Sequence, residues 1–162
     1  MSTAADLSFA PMGPSTQDAA GELLGAFLAN DRHYRASSAA YGDEGEPALH
    51  RALALFLARP EIGCVWLAHR KGVAVGACVV CYAISTSRGA LVAKLDDVTV
   101  RADAQGQGVG AAMLEALARW LRARGVTRID SACHRGNAGA WRFYQRLGFV
   151  PLDEERIALA LD

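Results

Sequence analysis

Net charge is the first thing this chain lacks. Its 17 Lys and Arg are cancelled by 17 Asp and Glu, so no global basic field gathers nucleic acid or an anionic membrane, and neither is expected as a partner. Long apolar runs are missing too. Nothing approaches the roughly 20 residues that cross a bilayer, and residues 1–10 show no basic stretch leading into an apolar one, the pattern of a secretory leader. The chain therefore reads as soluble and cytoplasmic, where its four cysteines stay reduced. They offer a single CxxC, Cys78 and Cys81, inside an apolar run with strand character. Residues three apart on a strand face opposite ways, so the pair cannot chelate one ion and no metal is expected. Repeats, low-complexity segments and linkers are absent as well. With 162 residues, 52% of them hydrophobic, residues 1–162 are expected to form one domain with its own core.

What is present is a regular succession of strand and helix signals. Residues 7–10 predict a short strand, stopped by Pro11 and Pro14. Ser15 is then placed to cap a helix whose Ala20, Leu23, Leu24, Phe27 and Leu28 share a face. Residues 30–47 are polar and small, and read as a long loop or a broken helix. Leu49, Leu53, Phe56 and Leu57 mark a second helix, ended by Pro60. Residues 64–69 and 73–84 read as a hairpin turning on Arg70-Lys71-Gly72. Residues 91–100 give the next strand and 110–124 a strongly amphipathic helix. A strand over 128–133, a helix capped by Asn137, and edge strands at 149–150 and 156–161 complete the order. Three successive strands suit antiparallel pairing, while the strand–helix–strand unit at 95–133 demands a parallel crossover. The expected fold class is α/β: a mixed, mostly antiparallel sheet with helices on both faces.

The chemistry gathers at Gln105-Gly106-Gln107-Gly108-Val109-Gly110, between a strand and a helix. Glycines let the main chain approach a ligand, and the free amides of a helix start seat a phosphate. Gly106-x-Gly108-x-x-Ala111 also fits the dinucleotide fingerprint, with Asp130 in the ribose-binding place. Against that reading, residues 101–105 part the strand from the first glycine, and too little chain follows for a doubly wound sheet. Adjacent Asp96 and Asp97 also sit badly in a strand buried on both faces. With no Gly-Lys-Ser/Thr a Walker loop is excluded, and no nucleophile elbow supports a hydrolase.

Gln105 to Gly110 matches the segment Q/R-x-x-G-x-G/A, and a second block, Asn137-Ala-Gly-Ala-Trp-Arg-Phe-Tyr144-Gln-Arg-Leu-Gly-Phe149, matches N-x-x-A-x-x-F-Y-x-x-L-G-F. Together, over about residues 62–150, the chain resembles the GNAT N-acetyltransferases. It is most similar to their spermidine/spermine acetyltransferase-like branch. Leu95-Asp-Asp-Val-Thr-Val100 is similar to that branch's L-E-D-x-x-V strand, with Asp96 where Glu is usual, and 152–156 is similar to its closing segment.

The resemblance implies a sheet splayed between strands 4 and 5 and acetyl-CoA as cosubstrate. Its diphosphate would lie on the amides of Gln105, Gly106, Gln107, Gly108, Val109, Gly110 and Ala111. Its pantetheine arm would run along Val98 and Val100 and against Asn137, with the Val98 N–H polarising the thioester carbonyl. Tyr144 is implied as a cofactor contact and as the acid for the leaving thiolate, Asp96 as base or amine anchor, and Asp97 as a hydrogen-bonding residue beside the substrate. Strand alternation allows only one of the two aspartates to face the cleft. An alkylammonium holds its proton to about pH 10.4, so a carboxylate or a water must remove it before attack. His33 and Tyr34, in the segment after the first helix, are expected to wall the acceptor site. The implied activity is acetylation of a primary amine on a small molecule by a homodimer. A protein acetyltransferase and a non-catalytic acyl-CoA-binding module are the alternatives.

Overall fold

The computed structural model describes residues 6–161. Five strands, β1 (Leu7–Pro11), β2 (Gly63–Arg70), β3 (Val73–Ser85), β4 (Ala90–Val100) and β5 (Ile129–Asp130), form one sheet in that order. The first three pairings are antiparallel and β4–β5 is parallel, the mixed sheet that the element order predicts. The β2–β3 turn is Lys71-Gly72, both at positive φ (50° and 79°), the two-residue geometry that matches strand twist.

Helices α1 (Gln17–Asn30) and α3 (Glu46–Ala58) cover one face, and α4 (Val109–Arg122) and α5 (Ala138–Arg146) the other. The first face closes over Leu23, Leu24, Leu53, Val65, Leu67 and Val79. The second closes over Val80, Leu95, Met113, Leu117, Leu121 and Tyr144. Cys78 belongs to the second cluster while Cys81 packs against the first, opposite faces as their spacing requires.

Several sequence expectations need correction. Ser15 does not cap α1; it lies in a 3-10 turn, Pro14–Thr16, whose Thr16 hydroxyl accepts from the Gly13 amide at 2.9 Å. For residues 30–47 the broken-helix reading holds over the long-loop one: they contain α2 (Arg32–Ser38), capped by the Asp31 carboxylate on the Tyr34 amide at 2.7 Å. Helix α2 is polar and two turns long, so no apolar stripe marked it. Strand β5 is two residues long, because β4 leaves it after Lys94↔Asp130. The edge strands at 149–150 and 156–161 do not form: residues 151–161 carry no strand and lie exposed.

β4 pairs Leu95 with Val80 and Val98 with Cys78, with a register shift between, so Asp96 and Asp97 together stand opposite Val79. This bulge adds one residue and breaks the alternation. Leu95 and Val98 both point toward the α4 face, so both aspartates fall on the α1 side instead of opposite faces.

Candidate active site

The glycine-rich segment is built as a cradle. After β4, a 3-10 turn (Ala102–Ala104) leads to Gly106 and Gly108 at φ +70° and +78°, backbone that only glycine adopts without strain. A side chain at either would project into open space, so conformation and not crowding demands glycine there. The first bond closing α4 runs from the Ala112 N–H to the Gly108 carbonyl at 3.0 Å, which leaves the earlier first-turn amides without an intrahelical acceptor. No side chain caps this end. Side chains fix the loop from behind. The Gln105 amide donates to the Val100 carbonyl at 2.9 Å, the Gln107 amide donates to the Asp103 carbonyl at 2.9 Å, and Arg70 Nη1 donates to Gln107 Oε1 at 2.6 Å. Gly110 differs from its neighbours: a Cβ there would meet the Phe143 ring at 3.3 Å. It lets α5 pack close.

Beside the cradle the sheet opens. The Arg101 N–H bonds the Val75 carbonyl at 2.8 Å, so by ladder alternation Val98 and Val100 turn their own N–H and C=O groups away from β3. On that side β5 has already left, and a strand-like ligand meets the Val98 N–H and C=O and the Val100 N–H without a strand partner, the Val100 carbonyl being held by the Gln105 amide. Tyr144, on α5, lies buried in the cluster that holds Val98 and Val100. Its ring packs edge-on against Phe149 at 5.1 Å and Phe143 at 5.3 Å. Burial pushes its hydroxyl up to about 12, while the Ser131 hydroxyl beside it pulls the other way. Ser131 Oγ itself is enclosed and, among the described residues, has no hydrogen-bond partner of full geometry. Asn137 caps α5, its Oδ1 accepting from the Ala140 amide at 3.1 Å.

Across the bulge, carboxylates converge. Burial first, then the Asp96 carboxylate, push the Asp97 carboxyl up to about 6; Arg156 opposes this and Asp31 adds to it. Asp96 is otherwise engaged, 3.3 Å from Lys94 Nζ and accepting from the Cys81 thiol at 3.8 Å. Tyr34 donates to Asp43 at 3.2 Å, and burial and that carboxylate push its phenol up to about 12. Ser37 Oγ and His134 Nε2 are 2.7 Å apart, and the His33 and His134 rings 5.3 Å apart. Helix α2 thus reaches the β5–α5 loop.

The structure therefore brings together Gln105, Gly106, Gln107, Gly108, Gly110 and Ala111 with Val98 and Val100, and sets Tyr144 in the same cluster. Tyr34 pairs with Asp43 and feels the Asp97 charge only weakly, while Asp96 turns to Lys94. Sequence reasoning missed Arg70, Asp31, Ser131 and His134. Arg70 and His134 reach their partners across the fold and Ser131 lies beside Tyr144, all with no local motif, whereas Asp31 has an Asp–x–x spacing before Tyr34 that is an N-cap signal.

This fold is shared with several solved acetyltransferases. A possible acetyltransferase from Clostridium difficile 630 superposes with TM-score 0.82 at 10% identity, over 96% of this chain and 98% of that one. A ribosomal-protein-alanine N-acetyltransferase from Brucella melitensis biovar Abortus 2308 gives 0.74 at 13%, over 96% and 99%. An aminoglycoside acetyltransferase from an uncultured soil metagenomic sample gives 0.70 at 15%, over 98% and 97%. At such identities the likeness is one of fold. Family membership comes from the sequence model of the acetyltransferase (GNAT) family, which matches residues 29–149. The chain belongs to that family, and its enzyme class is N-acetyltransferase.

Proposed function

We propose that the protein moves an acetyl group from acetyl-CoA to the primary amine of a small, cationic molecule, with Asp97 as base and Tyr144 as acid. The observation that carries this reading is the raised Asp97 carboxyl, about 6, at the bulge next to the unpaired Val98 main chain. It is charged at neutral pH, attracts an ammonium, and sits closer to proton-accepting strength than an ordinary carboxylate. We assign the base to Asp97 and leave Asp96, held by Lys94, as a second anchor for the amine.

The cradle residues fit the diphosphate of acetyl-CoA: open amides at a helix start, flanked by positive-φ glycines. When bound, acetyl-CoA supplies the activated acetyl group. The Val98 N–H donates toward the acyl oxygen, Asp97 takes the amine's proton, and Tyr144 gives its own to the departing sulfur. A phenol at about 12 is a weak donor to a thiolate in water. Enclosure raises thiols too, as it does Cys64 to about 11, so the mismatch shrinks where water is excluded. Asn137 and Tyr144 border the pantetheine path, and His33 and Tyr34 wall the acceptor.

A small acceptor is favoured over a folded protein because the Ser37–His134 contact ties α2, which on this reading walls the acceptor, to the β5–α5 loop. The strand resemblance makes polyamines the first candidates, with aminoglycosides and amino-acid side chains next. The working form we propose is a cytoplasmic homodimer. A thiol-release assay with an amine panel tests the activity: acceptor-dependent release with at least one small amine is expected. CoA uptake with no release from any amine would favour a non-catalytic module, and acetylated lysines on protein targets alone a protein acetyltransferase.

A further inference from the structure

The cradle carries no Lys or Arg within Gln105 to Ala111, yet a guanidinium reaches it from another element. Arg70 ends β2, where its backbone is paired with Leu7 of β1 and Val73 of β3. Its side chain therefore starts from a point fixed on both sides. Nη1 donates to Gln107 Oε1 at 2.6 Å, a charge-assisted length, and the amide of the same Gln107 donates to the Asp103 carbonyl at 2.9 Å. Gln107 is thus clamped between Arg70 and the turn before the loop, and lies between Gly106 and Gly108, the two residues whose positive φ shapes the cradle. Two glycines flanking one residue make a floppy segment by themselves, so a clamp on that residue is what holds the amides in place. Arg70 also has donors to spare: Nε is enclosed and finds no partner among the described residues.

We propose that Arg70 is a positioning residue for the diphosphate of the acyl carrier, holding the glycine-rich loop through Gln107 and setting a permanent positive charge at its rim. This rests on the acyl-CoA reading above. A guanidinium suits the task because it stays charged at all working pH and holds a planar, fixed set of donors.

Isothermal titration calorimetry with CoA, 3′-dephospho-CoA and pantetheine tests it on wild type, Arg70→Met, Gln107→Ala and the double variant. The expected result is a loss of about tenfold in affinity for CoA and for dephospho-CoA alike in Arg70→Met, and none for pantetheine, which has no diphosphate. Gln107→Ala should reproduce most of that loss, and the double variant should bind no worse than Arg70→Met, the non-additivity of residues that act as one. KM for acetyl-CoA should rise with kcat little changed, at a melting temperature close to wild type. Unchanged CoA binding in Arg70→Met would overturn the inference. So would a loss shared by pantetheine, one confined to the 3′-phosphorylated ligand, or additive effects of the two substitutions. Wild-type protein that bound none of the three ligands would overturn the acyl-CoA reading, and this inference with it.

Discussion

Two side chains carry the proposed chemistry, and both are tuned chiefly by burial. Tyr144→Phe keeps the edge-on packing with Phe143 and Phe149 and removes only the hydroxyl. Turnover should fall by about 10²-fold or more, with acetyl-CoA affinity, read by calorimetry, held within about twofold. Equal turnover in the variant would strip Tyr144 of the acid role. Asp97 makes a prediction in pH. Its carboxyl is raised from 3.8 to about 6, so kcat/KM should climb as pH rises through about 6 and flatten above, until the amine or Tyr144 intervenes. Asp97→Asn should lose that limb and most of the activity. The same shift has a stability sign. A carboxyl raised in the native state binds its proton more tightly there than in the unfolded chain, so folding is favoured below pH 3.8 and loses that advantage as pH rises through 6. At pH 8 wild-type Asp97 is charged at a cost, and Asp97→Asn should be more stable by roughly 1–2 kcal/mol. At pH 3 the two should melt alike. A variant that is less stable at pH 8 would mean the carboxylate is better paired than Arg156 makes it.

At the scale of elements, the glycines divide by what they do. Gly108→Ala places a Cβ in open space but at φ +78°, so its cost should be strain alone, about 1–2 kcal/mol. Gly110→Ala instead drives a methyl into Phe143 at 3.3 Å, and should lower the melting temperature by loosening α5 from α4. Denaturant unfolding of the two variants, each with and without CoA, separates the cases: Gly108→Ala should lose more of the ligand's stabilisation, Gly110→Ala more of the ligand-free stability. Elements with a strong local pattern were readable from sequence. Helix α4 has its apolar stripe through Met113, Leu117 and Leu121, and the β2–β3 hairpin has alternation plus a Lys71-Gly72 turn. Helix α2 was legible only as one of two alternatives because it is polar, and β5 was overestimated because β-forming residues continue after the sheet has parted. The cradle was legible since motif and backbone coincide there. The bulge at Asp96 and Asp97 was not: register against Val79 is a property of two strands, and it decides which face a carboxylate meets. Arg70 and Gln107, 37 residues apart, are joined only by the fold.

For the molecule as a whole, the most exposed apolar residues sit at its C-terminal end. Ile157, Leu159 and Leu161 are 91%, 85% and 91% exposed, and alternate with Ala158 and Ala160 as a strand would. β5, meanwhile, ends the sheet with an edge that no described residue pairs. An apolar, period-two segment beside an uncovered edge invites pairing. In a two-fold assembly, burying three such side chains from each copy is worth roughly 9–18 kcal/mol, against about 4–15 kcal/mol for the lost freedom of two bodies. Both tails together can sustain a dimer and one alone is marginal. Deleting residues 156–162 should therefore turn a dimer into a monomer by light scattering at tens of micromolar, and Leu159→Asp should do the same without shortening the chain. The deletion also removes Arg156, which holds the Asp97 carboxyl down. Its loss should move the acid limb of kcat/KM to higher pH, whereas Leu159→Asp, which keeps Arg156, should break the dimer and leave that limb in place. A truncated chain that kept the oligomeric state of the full one would show that the tail does not hold two copies together.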